Sequence, residues 1–206
     1  MPKRVDPRQR RTLIADALMR VAADRGLEAV SLRHVAAEAG VSAGMVQHYF
    51  TTKDEMMAFA LSVVRDRGRR RVETAVAALG PDPAPRLLLR TLLEALLPLD
   101  EAARADGRVA LAFLSWTALH PAAATGLRPD TVQLVDFIAG LLPRPPAADA
   151  AAGLLPADAA AGLLPADAGA GLLALVEGLG MYLLGGQYTP AQATAVLDHQ
   201  LELLFG

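Results

Sequence analysis

Apolar residues recur every three or four positions along most of this chain, a spacing that predicts helices nearly from end to end. Leu13, Ala17 and Val21 form one such series, and Ile14, Leu18 and Ala22 run beside it, so a helix with one apolar face is expected up to about Gly26. Asp6-Pro7-Arg8-Gln9 reads as its start. Asp6 can cap free N–H groups, Pro7 suits the first helical position because an N–H there would lack a partner anyway, and Gln9 stands where a capping-box partner stands. A short second helix is expected from Ser31, with Leu32, Val35, Ala36 and Ala39 inward, until Gly40 breaks it. Ser42 then caps a third helix that runs to about Phe50, and Thr52 opens a long fourth helix to about Leu79, stopped by Gly80 and Pro81. The remainder reads as helices over about 84–97, 101–119, 128–142, 170–185 and 190–205, with Pro and Gly at most of the joints.

Two stretches change this picture. Ala-Gly-Leu-Leu-Pro-Ala-Asp stands at 152–158 and again at 161–167, a period of nine, with a partial third copy at 170–173. Its prolines interrupt a continuous helix, and solenoid repeats use longer units in greater number, so 144–168 reads as a loop holding a tandem duplication. A tolerated surface insertion and a lid are both open readings of it. The stretch 169–186 is apolar enough to raise a membrane span, but it holds Glu177 and six glycines, which favours a buried helix and no membrane.

Composition sharpens the class. Hydrophobic residues make up 53% of the chain and aromatic ones only 4%, with Ala and Leu abundant, so the fold class is all-α. There is no cysteine, which excludes disulfides, thiolate metal sites and cysteine nucleophiles. His34, His48, His120 and His199 are scattered without metal-ligand spacing, and neither a Gly-rich phosphate loop nor a serine nucleophile elbow is present. The expectation is therefore a protein that is not an enzyme, with no metal and no cofactor. The basic opening MPKRVDPRQRR leads into no secretory apolar run, so a cytoplasmic location is expected. Charge is divided unevenly: residues 1–71 carry +6 and residues 72–206 carry −8. A basic head on an acidic body suggests an anionic partner for the head, although chance clustering on solvated faces gives the same totals.

The arrangement of helix, Gly-containing turn and helix is the one that lays a second helix in the major groove of DNA. Here Ser31–Ala39 is the supporting helix, Gly40–Val41 the turn, and Ser42–Phe50 the reading helix. Val41, Val46 and Phe50 are expected to face the core, leaving Ala43, Gly44, Gln47 and His48 on the opposite side. Small residues at 43 and 44 permit close approach to a groove, and the Gln47 amide can pair with the edge of adenine. Ser42, Tyr49 and Lys53 are placed to meet phosphates, and Arg33 and Met45 complete the DNA-facing set. Tyr49 also reads as a half-buried packing residue, and His48 as a solvated surface histidine.

The run Leu32-Arg33-His34-Val35-Ala36-Ala37-Glu38-Ala39-Gly40-Val41-Ser42, followed by Val46-Gln47-His48-Tyr49-Phe50-Thr51-Thr52-Lys53-Asp54-Glu55, resembles the DNA-binding domain of the tetracycline-repressor (TetR) family over residues 8–60. The family pattern of Ala-x-x-Ala-Gly-Val-Ser, a Tyr/His-Phe pair and Ser/Thr-Lys-Asp/Glu is met in order and spacing. Leu-Val-Glu-Gly-Leu-Gly at 175–180 and Tyr-Thr-Pro-Ala-Gln-Ala at 188–193 resemble the C-terminal helix pair of the branch named for the choline-responsive betaine regulator. The resemblance implies a three-helix helix-turn-helix domain at 1–52 and a larger helical effector and dimerisation domain at 53–206. It implies a homodimer on a near-palindromic duplex, and a repressor released by a small-molecule effector. A DNA-binding regulator without an effector is the alternative.

Two further sets of residues follow from that expectation. Phe113, Trp116 and His120, which share one helix face, together with Met181 and Tyr182, are candidates for an effector pocket; ordinary core packing is the competing reading. Leu172, Leu175, Val176, Leu179 and Leu183 on one helix, and Val196, Leu197, Leu201 and Leu204 on the next, are candidates for the dimer interface. Burial within the monomer competes with that assignment.

Overall fold

The structure is a computed structural model that describes residues 6–119, 128–143 and 165–206. Among these residues the regular elements are α1 (Pro7–Arg25), a 3-10 turn (Leu27–Ala29), α2 (Leu32–Ala39), α3 (Ala43–Tyr49), α4 (Lys53–Ala77), α5 (Pro85–Leu96), α6 (Glu101–Leu119), α7 (Arg128–Leu141), α8 (Pro165–Leu184) and α9 (Pro190–Phe205). The all-α fold read from the sequence is the fold observed.

The described residues form two compact units, 6–70 with 100–119, and 71–99 with the described part of 121–206. The first of these units takes in α4 as far as residue 70, beyond the 1–52 segment read as the helix-turn-helix domain. In the first unit α1 is buried around much of its circumference, at Ile14, Ala15, Ala17, Leu18, Met19, Val21 and Ala22. Two short helices cannot cover so wide a surface. Met56, Met57, Ala60 and Val64 of α4 and Val109 and Phe113 of α6 complete that core, which also holds Val35, Ala36, Val46 and Phe50. Leu13 lies at the edge of α1 and is exposed, so the inward face is set by the Ile14 series. Arg67 of α4 ties three helices of this unit: one guanidinium nitrogen donates to Asp16 of α1 at 2.7 Å and another to Asp106 of α6 at 3.1 Å.

The second unit is built on leucine. Leu89, Leu92, Leu93 and Leu97, Ile138, Leu172, Leu173, Val176, Leu179 and Leu183, and Ala193, Leu197 and Leu201 form one buried cluster. Helix α8 is long and apolar enough to cross a membrane by length and composition, yet Leu172, Val176, Leu179 and Leu183 pack into this cluster, as in the core helix of a globular unit. Six residues expected at a dimer interface, Leu172, Val176, Leu179, Leu183, Leu197 and Leu201, are each at most 4% exposed within the single chain. Their side chains serve the chain's own core, and of the expected set Leu175, Val196 and Leu204 keep accessible surface.

Helix α8 also starts earlier than periodicity predicts. Pro165, read above as a breaker in the 144–168 loop, is the first residue of the helix, a position that needs no N–H. The end of the second repeat copy is thus helical, while the first copy lies outside the described residues. Gly169 shows what the early start serves. A Cβ there would meet the Val135 carbonyl oxygen at 2.8 Å and the Ala139 nitrogen at 3.2 Å, so α7 and α8 pass backbone against backbone. Helix α9 is held by Thr189, whose hydroxyl accepts the Gln192 N–H while the Gln192 side chain accepts the Thr189 N–H, a capping box. Arg90 of α5 grips Asp198 of α9 with two nitrogens, at 2.6 and 3.0 Å, and Glu94 at 2.7 Å. The hydrogen bond from Arg90 holds the Asp198 carboxyl below the usual carboxylate range, against a smaller opposing effect of burial.

Two predictions follow. Gly169→Ala gains helix propensity of about 1 kcal/mol but forces a methyl against a backbone carbonyl, so a net loss of about 1–3 kcal/mol is expected in denaturant unfolding. Gly140→Ala, with nothing within 4 Å of the new methyl, is expected to show no loss. For Asp198 the folded value is depressed. Its stabilisation is present above the ordinary carboxylate range and is lost as pH falls through the folded value. The pair is partly exposed, so the effect is at most about 1 kcal/mol. Melting temperatures of wild type and Asp198→Asn should differ at neutral pH and converge in acid; a constant gap would place the effect outside the ion pair.

Candidate nucleic-acid interface

The site begins with how α2 stops and α3 starts. Ser31 caps α2, its hydroxyl accepting the His34 N–H at 3.2 Å. At the other end Gly40 takes the left-handed conformation, φ 65°, that an L side chain rarely adopts. The Gly40 N–H donates to Ala37 O and the Val41 N–H to Ala36 O, the paired bonds of a Schellman turn. Val41 tucks against the core, and Ser42 immediately caps α3 by accepting the Met45 N–H at 3.1 Å. Only Gly40, Val41 and Ser42 separate the two helices, so their mutual placement is set by fixed hydrogen bonds.

Helix α3 then shows two faces. Val46 is fully buried, as is Phe50 at its C-cap, whose N–H donates to Val46 O at 2.9 Å. Ala43, Gly44, Met45, Gln47 and His48 are exposed. A Cβ at Gly44 would find nothing nearer than the Ser42 hydroxyl at 4.0 Å, so the protein itself does not require glycine there. The groove-facing set expected from the sequence is on one exposed surface. Tyr49 is half-buried and packs on the core, with its ring edge-on to His48 at 5.1 Å, which meets the packing reading of that residue.

Beyond α3 the chain turns through 50–52 into α4. The Thr52 hydroxyl accepts the Glu55 N–H at 3.0 Å, and Glu55 reaches back to accept the Thr51 N–H at 2.9 Å. Lys53 is the exposed first residue of α4. Its ammonium group belongs to a first turn that also carries Asp54 and Glu55, at the positive end of the helix dipole. Arg33 is exposed on α2. Beside it His34 is held by its Nδ1–H, which donates to Ala29 O at 2.7 Å. Arg20 links α1 to α2 through Glu38 at 2.6 Å.

The pocket candidates fall in both units. Phe113 is a core residue of the first unit, with the Trp116 ring edge-on at 6.3 Å. Met181 and Tyr182 are exposed on α8 in the second unit, where Tyr182 contacts the Tyr188 ring at 5.1 Å. His120 lies outside the described residues.

Periodicity misses Arg11. Its guanidinium lies against both the Phe50 and Phe59 rings and pairs with Glu55 at 2.9 Å, 44 residues away in sequence. No local pattern marks a contact of that span; the hint available was a charged residue next to the apolar stripe of α1.

Residues 14–58 match the family described as bacterial regulatory proteins, tetR family, and residues 85–206 match the C-terminal family of BetI-type transcriptional repressors. The chain is 36% identical over 117 residues to the HTH-type transcriptional regulator PksA of Bacillus subtilis (strain 168), covering 56% of this chain and 55%, about half, of that relative. It is 31% identical over 159 residues to the HTH-type transcriptional regulator BetI of Burkholderia pseudomallei (strain K96243), covering 75% of this chain and 80% of BetI. A crystal structure of a transcriptional regulator from Rhodococcus sp. Rha1 superposes with a TM-score of 0.76 at 33% identity, over 94% of this chain and 95% of that one. A Saccharomonospora viridis protein, described as a putative transcriptional regulator in complex with choline, superposes with a TM-score of 0.74 at 22% identity, over 95% and 96% of the two chains, a likeness of fold.

Proposed function

Belonging to the TetR family of bacterial regulatory proteins, with a BetI-type C-terminal part, this chain is a DNA-binding transcriptional regulator, and we propose that it is a cytoplasmic homodimeric repressor of a near-palindromic operator, released by a small-molecule effector. The observation that carries the reading is the exposed face of α3, where Ala43, Gly44, Gln47 and His48 stand together clear of the core.

Each DNA-facing residue takes a role by its chemistry. Gln47 reads a base edge through its amide, while Ala43 and Gly44 keep the helix slim enough to enter the groove. Ser42 and Lys53 meet phosphates at the N-termini of α3 and α4, and Arg33, Met45 and His48 border the same surface. Tyr49 presents its exposed edge to the backbone and its other face to the core.

Two copies of such a head need a common base. Helices α8 and α9 offer one: Leu175, Val196 and Leu204 of the expected set, joined by exposed Met181, Tyr182 and Leu203. A groove of about 360 Å³ between the two helices, lined by Ala168, Gly171, Leu172, Leu175, Gln200 and Leu204, gives a partner helix somewhere to seat. An effector is supported by the BetI-type match and by the choline held in the Saccharomonospora viridis protein. Of the pocket candidates on α6, Trp116 is half-buried at the edge of the core, where its indole could meet a cation, whereas Phe113 is fully buried in it. With one tryptophan in the chain, a fluorescence titration reports on Trp116 alone.

Selection from a randomised duplex pool, followed by gel-shift and sedimentation measurements, tests the reading. Two copies on one inverted-repeat duplex are expected; binding that is sequence-blind and vanishes with salt would reject it. On the selected duplex, Gln47→Ala should change base preference by about 1–3 kcal/mol at one position of each half-site, whereas Lys53→Ala should weaken all duplexes alike. Val196→Asp, at a position 36% exposed, should give folded monomers with weakened operator binding. Leu201→Asp, buried at 1%, should unfold the second unit instead. A stable Val196→Asp dimer would move the interface elsewhere.

A further inference from the structure

Arg11 is a charged side chain seated where an apolar one would ordinarily pack. Its guanidinium carbon lies 4.6 Å from the centre of the Phe50 ring and 4.8 Å from that of Phe59, and the two rings are 5.5 Å apart. One Nη donates to Glu55 Oε1 at 2.9 Å, and the other oxygen of that carboxylate accepts the Thr51 N–H at 2.9 Å. The Arg11 Nε is buried with no hydrogen-bond partner. Hydrogen bonding is thus incomplete, and the guanidinium's approach to the two rings supplies the rest of the contact.

These contacts converge on residues 50–52, the turn that joins α3 to α4. Helix α3 has seven residues and one buried side chain of its own, Val46, so its direction depends on what holds its two ends. The Ser42 cap holds the first. At the second, Phe50 is bonded to Val46 O through its N–H and pressed by Arg11 through its ring. We propose that Arg11 is a positioning residue for DNA reading: its guanidinium, held against the Phe50 and Phe59 rings and paired with Glu55, fixes the 50–52 turn and thereby the aim of α3 and of the α4 N-terminus. The inference rests on the DNA-reading function above and adds a residue that touches no DNA. Hydrogen-bond geometry at a base edge tolerates only small displacements, whereas phosphate attraction tolerates larger ones. Loss of these ring contacts should therefore damage discrimination more than affinity in general.

The test compares wild type, Arg11→Met and Glu55→Gln on the duplex that wild type selects from a randomised pool and on an unrelated duplex of equal length. Arg11→Met is expected to lower the ratio of specific to non-specific affinity by about tenfold, with non-specific binding nearly unchanged and helix content intact. Glu55→Gln keeps an acceptor for the Thr51 N–H but loses the charge, so a smaller shift of the same sign is expected; it decides the matter alone if Arg11→Met fails to fold. Unchanged discrimination in the folded variant, or an equal loss on both duplexes, would overturn the assignment. A wild type that selects no duplex at all would instead reject the DNA reading itself, and the inference with it, before any variant is compared.

Discussion

Helix α3 is seven residues long, and Val46 is its only fully buried side chain. Nucleating a helix fixes several residues for one hydrogen bond, so a segment this short does not persist in water on its own strength. Much of the first unit can be understood as the support it needs. The Schellman turn at Gly40 and the Ser42 cap fix where α3 begins, and Phe50, buried between α1 and α4, fixes where it ends. The core reaches into α4 and α6 because α1, the platform under α2 and α3, is apolar over too much of its surface for two short helices to cover. A reading surface made of small and polar residues contributes almost nothing to its own stability. Its rigidity is borrowed from the buried faces of α1, α4 and α6.

Most of this was legible from local chemistry. Caps and stops are written in residues adjacent to the ends they control, so Asp6, Ser31, Gly40, Ser42 and Thr52 located five helix ends without any tertiary information. The exposed set on α3 followed from the positions of Val46 and Phe50, because a short helix has only two sides to distribute. Three features were not legible. Pro165 looked like a breaker because proline is excluded from helix interiors, and only the close crossing at Gly169 shows that it stands at a beginning. The leucines of α8 and α9 are apolar on nearly every side, so hydrophobicity could not tell which face meets the chain's own core. Arg11 and Glu55 are paired by the fold across 44 residues, a distance at which sequence pattern has no period to detect.

The ionic contacts share a division of labour. Arg11, Arg20, Arg67, Arg90 and Arg108 each pair with a carboxylate, and the first four do so between helices. Partly exposed pairs of this kind stabilise a fold by little. Their forked geometry instead admits only certain placements of one helix on another.

Side-chain amines stand at only two places in the whole sequence, Lys3 and Lys53. Lys53 is exposed beside the reading helix. Any reagent or enzyme that acylates lysine therefore has few targets, and one of them borders the surface through which the protein would engage its operator. Immobilisation on an activated-ester sensor chip, dye labelling with succinimidyl esters, or acetylation in the cell would all modify that neighbourhood rather than be diluted over dozens of harmless sites. Attachment through carboxylates of the acidic C-terminal body avoids it.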